Sequence, residues 1–403
     1  MIIRKAYKFR LKTKPKHVRL FAQFAGCCRL VWNKALAFQK QKLEAKQSCL
    51  AYGSLTCELT KWKQLEELKF LNHVHSQLLQ QTLKNLSQAL KYAFDKSNSK
   101  QFARFKKKGK QDSFRYPQGF KVDNNNSKVY LPKIGWVGYI KSQAIDGTPK
   151  NITVSRRGQH WYVSIQVEIE QKCKQHTASS VVGGDLGIAR FLTLSDGTFY
   201  TPLNIFRTFA LKLGRFQKQL AKKQIGSANR KKHKRKITQV DIKIANSRLD
   251  YLHKISSQLS KNHAVVMLKD LQVSNLSKSA KGTLENPGKN VSAKSELNKS
   301  ILDQGWHEFV RQLGYKLDWA GGRLILVNPR NTSRCCPNCG YTSAENRKTQ
   351  AHFKCVNPTC SYIENADFVG AINVLRAGHV QLACGENSVE DSLKQEPTER
   401  LYA

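Results

Sequence analysis

The strictest constraint in this chain is a set of four cysteines: Cys336-Pro-Asn-Cys339, then fifteen residues, then Cys355-Val-Asn-Pro-Thr-Cys360. Two thiol pairs at turn-like spacing suit a tetrahedral zinc ribbon, in which each knuckle aims both sulfurs at one metal. Four thiolates leave no open position for water, so the Zn2+ expected here is structural and not catalytic. The second knuckle is wider than the common two intervening residues but within the usual range. Neighbouring Cys335 is an alternative ligand that would break the spacing. Cys27, Cys28, Cys49, Cys57, Cys173 and Cys384 follow no ligand pattern and read as reduced, small buried hydrophobes.

Charge narrows the partners. Lysine and arginine number 69 against 28 acidic residues in 403, a formal net charge of +41. Self-repulsion on that scale calls for a polyanion, with nucleic acid the leading choice. An anionic membrane surface is the weaker reading, because no apolar run approaches the roughly 18 residues a span needs and no signal peptide opens the chain. The expectation is a monomeric, cytoplasmic, nucleoid-associated protein with no membrane partner.

Apolar periodicity divides the chain. Ile3 to Leu11 alternate as a strand, and Pro15 opens a helical pattern carrying Phe21, Phe24, Cys28, Val31, Trp32 and Leu36. Further helices are expected from Tyr52 through Leu65 and across Leu78, Leu83, Leu86 and Leu90 to Phe94. The segment from Ser97 to Lys110 is basic, and short strands separated by Gly, Asn and Pro turns fill 110–172. Val181 opens an apolar strand ending at Asp185, followed by a hairpin. From Lys212 to Lys236 come eleven lysines and arginines with no acid, which favours phosphate contact over a merely solvated face. Ala264–Leu268 reads as a buried strand, Ser274–Ser295 as a flexible loop, Trp306–Trp319 as an amphipathic helix, and Leu324–Val327 as another strand. A last helix starts at Ala366, and 379–403 is expected to be a poorly ordered tail.

Asp185 closes an apolar strand and Asp367 opens a helix just after the cysteine cluster. Hydrolysing a phosphodiester with two divalent cations takes clustered carboxylates. Taken alone, Asp185 also reads as a turn residue and Asp367 as a favourable charge at a helix N-terminus.

A resemblance decides between these readings. Asp185-Leu-Gly187, Gly226-Ser-Ala-Asn-Arg230, Asn246-Ser-Arg248-Leu-Asp250-Tyr-Leu-His253-Lys254, the cysteine ribbon, and Asn365-Ala-Asp367-Phe-Val-Gly-Ala-Ile-Asn373 stand in the order seen in TnpB proteins, the RNA-guided DNA endonucleases encoded by transposons. Tyr7-Lys-Phe-Arg10-Leu11, Gly26-Cys-Cys-Arg29-Leu-Val-Trp32-Asn33 and Leu131-Pro-Lys-Ile-Gly135-Trp136 extend the resemblance to about Ala377. It implies an α/β and α+β multidomain protein. A wedge-type β-barrel would occupy 1–11 and 110–172, with an inserted helical recognition domain at 12–109. An RNase H-like RuvC domain would occupy 181–330 and 363–378, with the zinc ribbon inserted at 331–362. It further implies a guide RNA, a double-stranded DNA target with a short adjacent motif read by protein, and Mg2+ held by Asp185 and Asp367 if the chain is catalytically active. Tyr52 and Gln80 match positions near that motif. Arg104, Lys106, Lys107, Lys108, Arg230, Lys231, Lys232 and Arg248 are candidate nucleic-acid contacts.

One position departs from the family. Its carboxylate triad is Asp, Glu, Asp, and the glutamate expected at the end of the strand from Ala264 is Lys269. Asp270 should face the opposite side of that strand and makes a poor substitute. Glu285 and Glu296 in the following loop are the nearest other acids. A lysine removes a ligand and adds a positive charge where a cation should sit, so very weak or absent cleavage is expected. The competing functions are therefore an active guided endonuclease with a substitute ligand, a guided DNA-binding repressor without cleavage, and a decayed transposase-associated protein. No tyrosine or serine recombinase motif supports strand joining.

Overall fold

Alternating apolar and basic residues produce β1 (Ile2–Lys12), whose odd-numbered side chains from Tyr7 to Leu11 are buried and whose even-numbered lysines and arginines face water. A computed structural model describes residues 2–97, 101–170 and 175–383, which fall into one compact unit within 1–172 and another within 173–400.

In the first unit, Pro15 begins α1 (Pro15–Glu44), where a missing N–H costs nothing. Its apolar stripe buries Phe21, Phe24, Cys28, Val31, Trp32 and Leu36. Helices α2 (Tyr52–Gln64) and α3 (Ser76–Phe94) follow, joined by a 3-10 turn over Glu66–His73 that periodicity did not reveal. Then come β2 (Ser113–Tyr116), β3 (Lys121–Asp123), β4 (Lys128–Leu131), β5 (Gly135–Tyr139), β6 (Thr148–Arg157) and β7 (His160–Glu170). All seven strands are antiparallel, in the order β2-β6-β7-β1-β5-β4-β3. Helices and sheet share one core: Phe21 meets Trp161 edge-on at 5.2 Å, and Phe24 meets Phe114 at 5.8 Å. Each fully buried aromatic or aliphatic side chain contributes about 1.5–3 kcal/mol of transfer free energy.

The second unit opens with the meander β8 (Val181–Leu186), β9 (Leu192–Leu194) and β10 (Phe199–Tyr200). A helical hairpin, α4 (Ile205–Ala221) and α5 (Ala228–Asn262), leads to β11 (Val265–Lys269), which lies parallel to β8. After α6 (Val273–Leu276), α7 (Val291–Gln304) and α8 (Trp306–Ala320), β12 (Arg323–Val327) adds parallel to β11. The sheet order is β10-β9-β8-β11-β12. A separate pair, β13 (His352–Lys354) and β14 (Ile363–Asn365), runs directly into α9 (Ala366–Ala383).

Several expectations are corrected. The flexible loop drawn over Ser274–Ser295 gives up its two ends to α6 and α7. Helix α7 escaped notice because its buried residues are Ile301, Asp303 and Gln304, which do not make an apolar stripe. The tail drawn from 379 is helical through Ala383, and the rest of it lies outside the described residues, as do Cys173 and Cys384. Cys57 is exposed and Cys49 half-buried, whereas Cys27 and Cys28 are buried as expected, and burial pushes their thiols up to about 11 and about 12. Among the described residues no helix is long and apolar enough to cross a membrane.

Helix α9 lies against β8 at backbone distance. A Cβ on Gly183 would fall 2.4 Å from the Ala371 carbonyl oxygen, so only glycine permits this approach.

Candidate metal centres

Because β8 and β11 are parallel, with Gly184 paired to Leu268, their C-terminal ends carry Asp185 and Lys269 to the same edge of the sheet. Lys269 is 7% exposed and Asp185 8%, and the lysine Nζ stands 2.7 Å from Asp185 Oδ1. Helix α9 closes the site from above: a Cβ on Gly370 would lie 2.4 Å from Asp185 Oδ2 and 3.4 Å from Lys269 Nζ. Asp367 sits in the first turn of that helix, its backbone N–H donating to Asn365 Oδ1. Its Oδ1 is 3.4 Å from an Arg347 guanidinium nitrogen. Burial pushes the Asp185 carboxyl above the usual carboxylate range; the Lys269 ammonium opposes that shift, and the Asp367 charge adds to it.

The cleft thus holds two carboxylates and two cations, a neutral set without any added ion. A divalent magnesium ion needs oxygen ligands in near-octahedral array. Here an ammonium occupies one face of the first carboxylate and a guanidinium approaches the second. The residues do not fit that ion. Asp270, the residue after β11, is exposed and accepts from Gln272. Glu296 pairs with Lys299 on α7, and Glu285 is exposed. Among the described residues no third acid joins Asp185 and Asp367 in a metal-ligating group. Replacing Gly370 with alanine should destabilise this unit by about 1–3 kcal/mol, since the new methyl has nowhere to go in a packed interior; a lowered thermal midpoint checks it.

The cysteine centre has the opposite character. The four sulfurs of Cys336, Cys339, Cys355 and Cys360 lie within 4.8 Å of one another. Cys336 Sγ and Cys360 Sγ are 3.8 Å apart, and Cys339 Sγ and Cys355 Sγ 3.6 Å. A tetrahedron with metal–sulfur bonds of about 2.3 Å has sulfur–sulfur edges near 3.8 Å, so the donor set fits zinc. Asn338 and Asn357 donate side-chain N–H groups to Cys360 and Cys339. The Tyr341 backbone N–H helps pull the Cys339 thiol down to about 6, while burial pushes Cys355 up to about 12. One bound dication would settle that competition in favour of four thiolates. Cys335 points elsewhere, its Sγ–H toward the carbonyls of Cys336 and Gly340.

The proposed nucleic-acid contacts divide. Tyr52, Gln80, Lys107, Lys108, Lys231 and Lys232 are exposed. Arg104 is exposed and bonded to Gln101. Three others are committed elsewhere. Lys106 lies 3.9 Å over the Trp32 ring, with its pKa lowered by burial. Arg230 donates to the carbonyls of Leu220 and Lys223 at 2.8 and 2.7 Å, closing the α4–α5 turn. Arg248 pairs with buried Asp303, which also accepts the N–H of Phe206. An Arg248→Ala change strands that carboxylate and should cost about 3–5 kcal/mol in a denaturant melt. Arg347 and Asp303 were missed, and no spacing in the sequence points to either.

A family profile of OrfB proteins of IS605 elements, described as "Probable transposase", matches residues 164–280. A second, described as "Cas12f1-like, TNB domain", matches 306–374. A third, described as a helix-turn-helix domain, matches 1–48, where this structure has β1 followed by the single long α1. The chain is 48% identical over 399 residues to an Escherichia coli (strain K12) protein named RNA-guided DNA endonuclease InsQ, covering 99% of this chain and 98% of that one. It is 30% identical to a Streptomyces pristinaespiralis protein named RNA-guided DNA endonuclease, covering 98% and 96%. Among solved structures it resembles a Cas12f1 chain in complex with sgRNA and target DNA, with a TM-score of 0.55 at 13% identity, over 93% of this chain and 99% of that one. That last likeness speaks to fold: a mixed α/β architecture.

Proposed function

The chain belongs to the TnpB family, and from that premise we propose that it binds a guide RNA and is directed by it to double-stranded DNA, with its own nuclease centre silenced at Lys269. In this reading 1–11 and 110–172 form the wedge-type β domain and 12–109 the recognition helices. The RuvC-like domain is 181–330 with 363–378, and 331–362 is the zinc ribbon. The β10-β9-β8-β11-β12 order, antiparallel on one side of β8 and parallel on the other, is consistent with an RNase H-like sheet. A charge of +41 supports polyanion binding. Tyr52 and Gln80, both exposed, stand as readers near the target-adjacent motif. Zinc at the four cysteines is structural.

The observation that carries the silencing is the buried contact of Lys269 Nζ with Asp185 Oδ1. Asp185 and Asp367 keep their places, but one is occupied by an internal cation and the other is shared with Arg347. Binding to guide and target depends on basic surface outside the cleft and is retained. The test is to purify the chain with a guide RNA from the adjacent transposon end and add matched duplex DNA with magnesium. RNA copurification and sequence-dependent retention of uncut duplex are expected. Failure to hold RNA would refute guidance, and cutting by the unmodified chain would refute silencing.

A further inference from the structure

The water side of the first unit's sheet carries a feature unrelated to the cleft. Strand alternation places Lys128 and Tyr130 of β4 and Trp136 and Gly138 of β5 on one face, opposite buried Val129, Leu131, Val137 and Tyr139. Register sets Lys121 of β3 beside Tyr130, Tyr130 beside Trp136, and Lys128 and Lys12 on either side of Gly138. The Tyr130 and Trp136 rings are 5.6 Å apart and tilted by 59°. Trp136 is 47% exposed, whereas the other tryptophans of the chain are buried or half-buried. The Lys12 stem lies 3.6 Å from where a Gly138 Cβ would be, so it packs over Gly138 on the same face as the indole. Lys12 and Lys121 form no ion pair among the described residues. The acid on this face, Asp123, stands opposite Lys128 in register and accepts the backbone N–H groups of Asn125 and Asn126 and the side-chain amide of Asn126, so Lys12 and Lys121 are the cations it leaves unopposed.

An exposed indole beside a phenol, framed by three lysines, matches what an unpaired nucleotide strand offers: base faces to stack and phosphates to neutralise. Paired RNA hides its base faces and would use the lysines alone. We propose that the Tyr130–Trp136 face is a stacking platform for an unpaired segment of the guide RNA, with a base on Trp136 and phosphates on Lys12, Lys121 and Lys128. The proposal rests on the guided reading above and names a contact for its RNA.

The test uses the full chain, an oligouridine strand and a fully paired RNA hairpin as probes, and affinity measured across salt concentrations. Trp136→Ala should weaken oligouridine binding roughly tenfold, within the range of about 1–3 kcal/mol per stacked base, and leave the salt slope unchanged. Trp136→Phe should restore most of the loss. Lys121→Ala and Lys128→Ala should each lower the salt slope by about 0.7. Hairpin affinity should not respond to Trp136→Ala, and an unchanged melting midpoint shows that the variant folds. Oligouridine bound as tightly by Trp136→Ala, or hairpin weakened equally, overturns the platform. So does polyglutamate binding that depends on Trp136 while RNA binding does not, which assigns the face to an acidic peptide. Absence of any RNA binding by the unmodified chain refutes the guided reading instead.

Discussion

Lys269→Glu is expected to convert an uncut matched duplex into a magnesium-dependent cleaved one, with a gain of at least about 100-fold over the unmodified chain. The argument is geometric. Residue 269 is already at the cleft, 2.7 Å from Asp185 through its ammonium, so a carboxylate on the same strand would face the same carboxyl group. Three acids would then converge where the chain now balances two acids with two cations. Without metal that arrangement repels itself, and losing the buried ion pair should cost about 3–5 kcal/mol. Magnesium should return part of this: at a hundredfold excess over its dissociation constant, linkage contributes about 2.7 kcal/mol, roughly a 5–10 °C rise in melting midpoint. The unmodified chain should melt at the same temperature with or without magnesium. Asp185→Ala in the Lys269→Glu background should abolish the gained cleavage. A variant that neither cuts nor responds to magnesium would place the silencing elsewhere.

The second large effect is expected at the cysteines. Purified protein should carry one zinc ion per chain, and Cys336→Ser with Cys355→Ser should lose it. Structural zinc sites of this donor type contribute apparent free energies of about 10–16 kcal/mol, more than the small cluster of Phe353, Val369 and Ala366 behind the sulfurs can supply. Chelation should therefore unfold 331–362, seen as loss of amide-exchange protection there while β1 and β7 stay protected. The disturbance should extend to Asp367, because β14 passes into α9 without a linker and Ala366 and Val369 belong to the same cluster. A chelated chain with full protection at Phe353 would refute the zinc assignment.

Much of this was legible beforehand where one residue type answers to one constraint. The alternation from Ile3 to Leu11 could only satisfy a half-buried strand, and the four-cysteine spacing brought four sulfurs together as expected. Lys269 was found because a family pattern demanded an acid there, but its buried pairing with Asp185 was not foreseen, since it depends on the parallel register of β8 and β11. Arginines were the poorest guide. A sequence shows their charge but not their partner, so nothing in it revealed that Arg230 closes a helical turn or that Arg248 holds a buried carboxylate. Arg347 was invisible for the complementary reason: it reaches Asp367 through tertiary placement, twenty residues away along the chain. Helix α7 was hidden because what it buries is largely polar.

The glycine contact between β8 and α9 has a temporal consequence. The strand is made early and its cover late, for Gly183 waits on Ala371. At ribosomal rates of about 5–20 residues per second, that interval is roughly 10–40 s. In its latter half, roughly 5–20 s between Lys269 and the start of α9, β8 and β11 can pair and Lys269 can meet Asp185 before any of α9 has been synthesised. The order of synthesis thus allows Lys269 to reach Asp185 before Asp367 arrives.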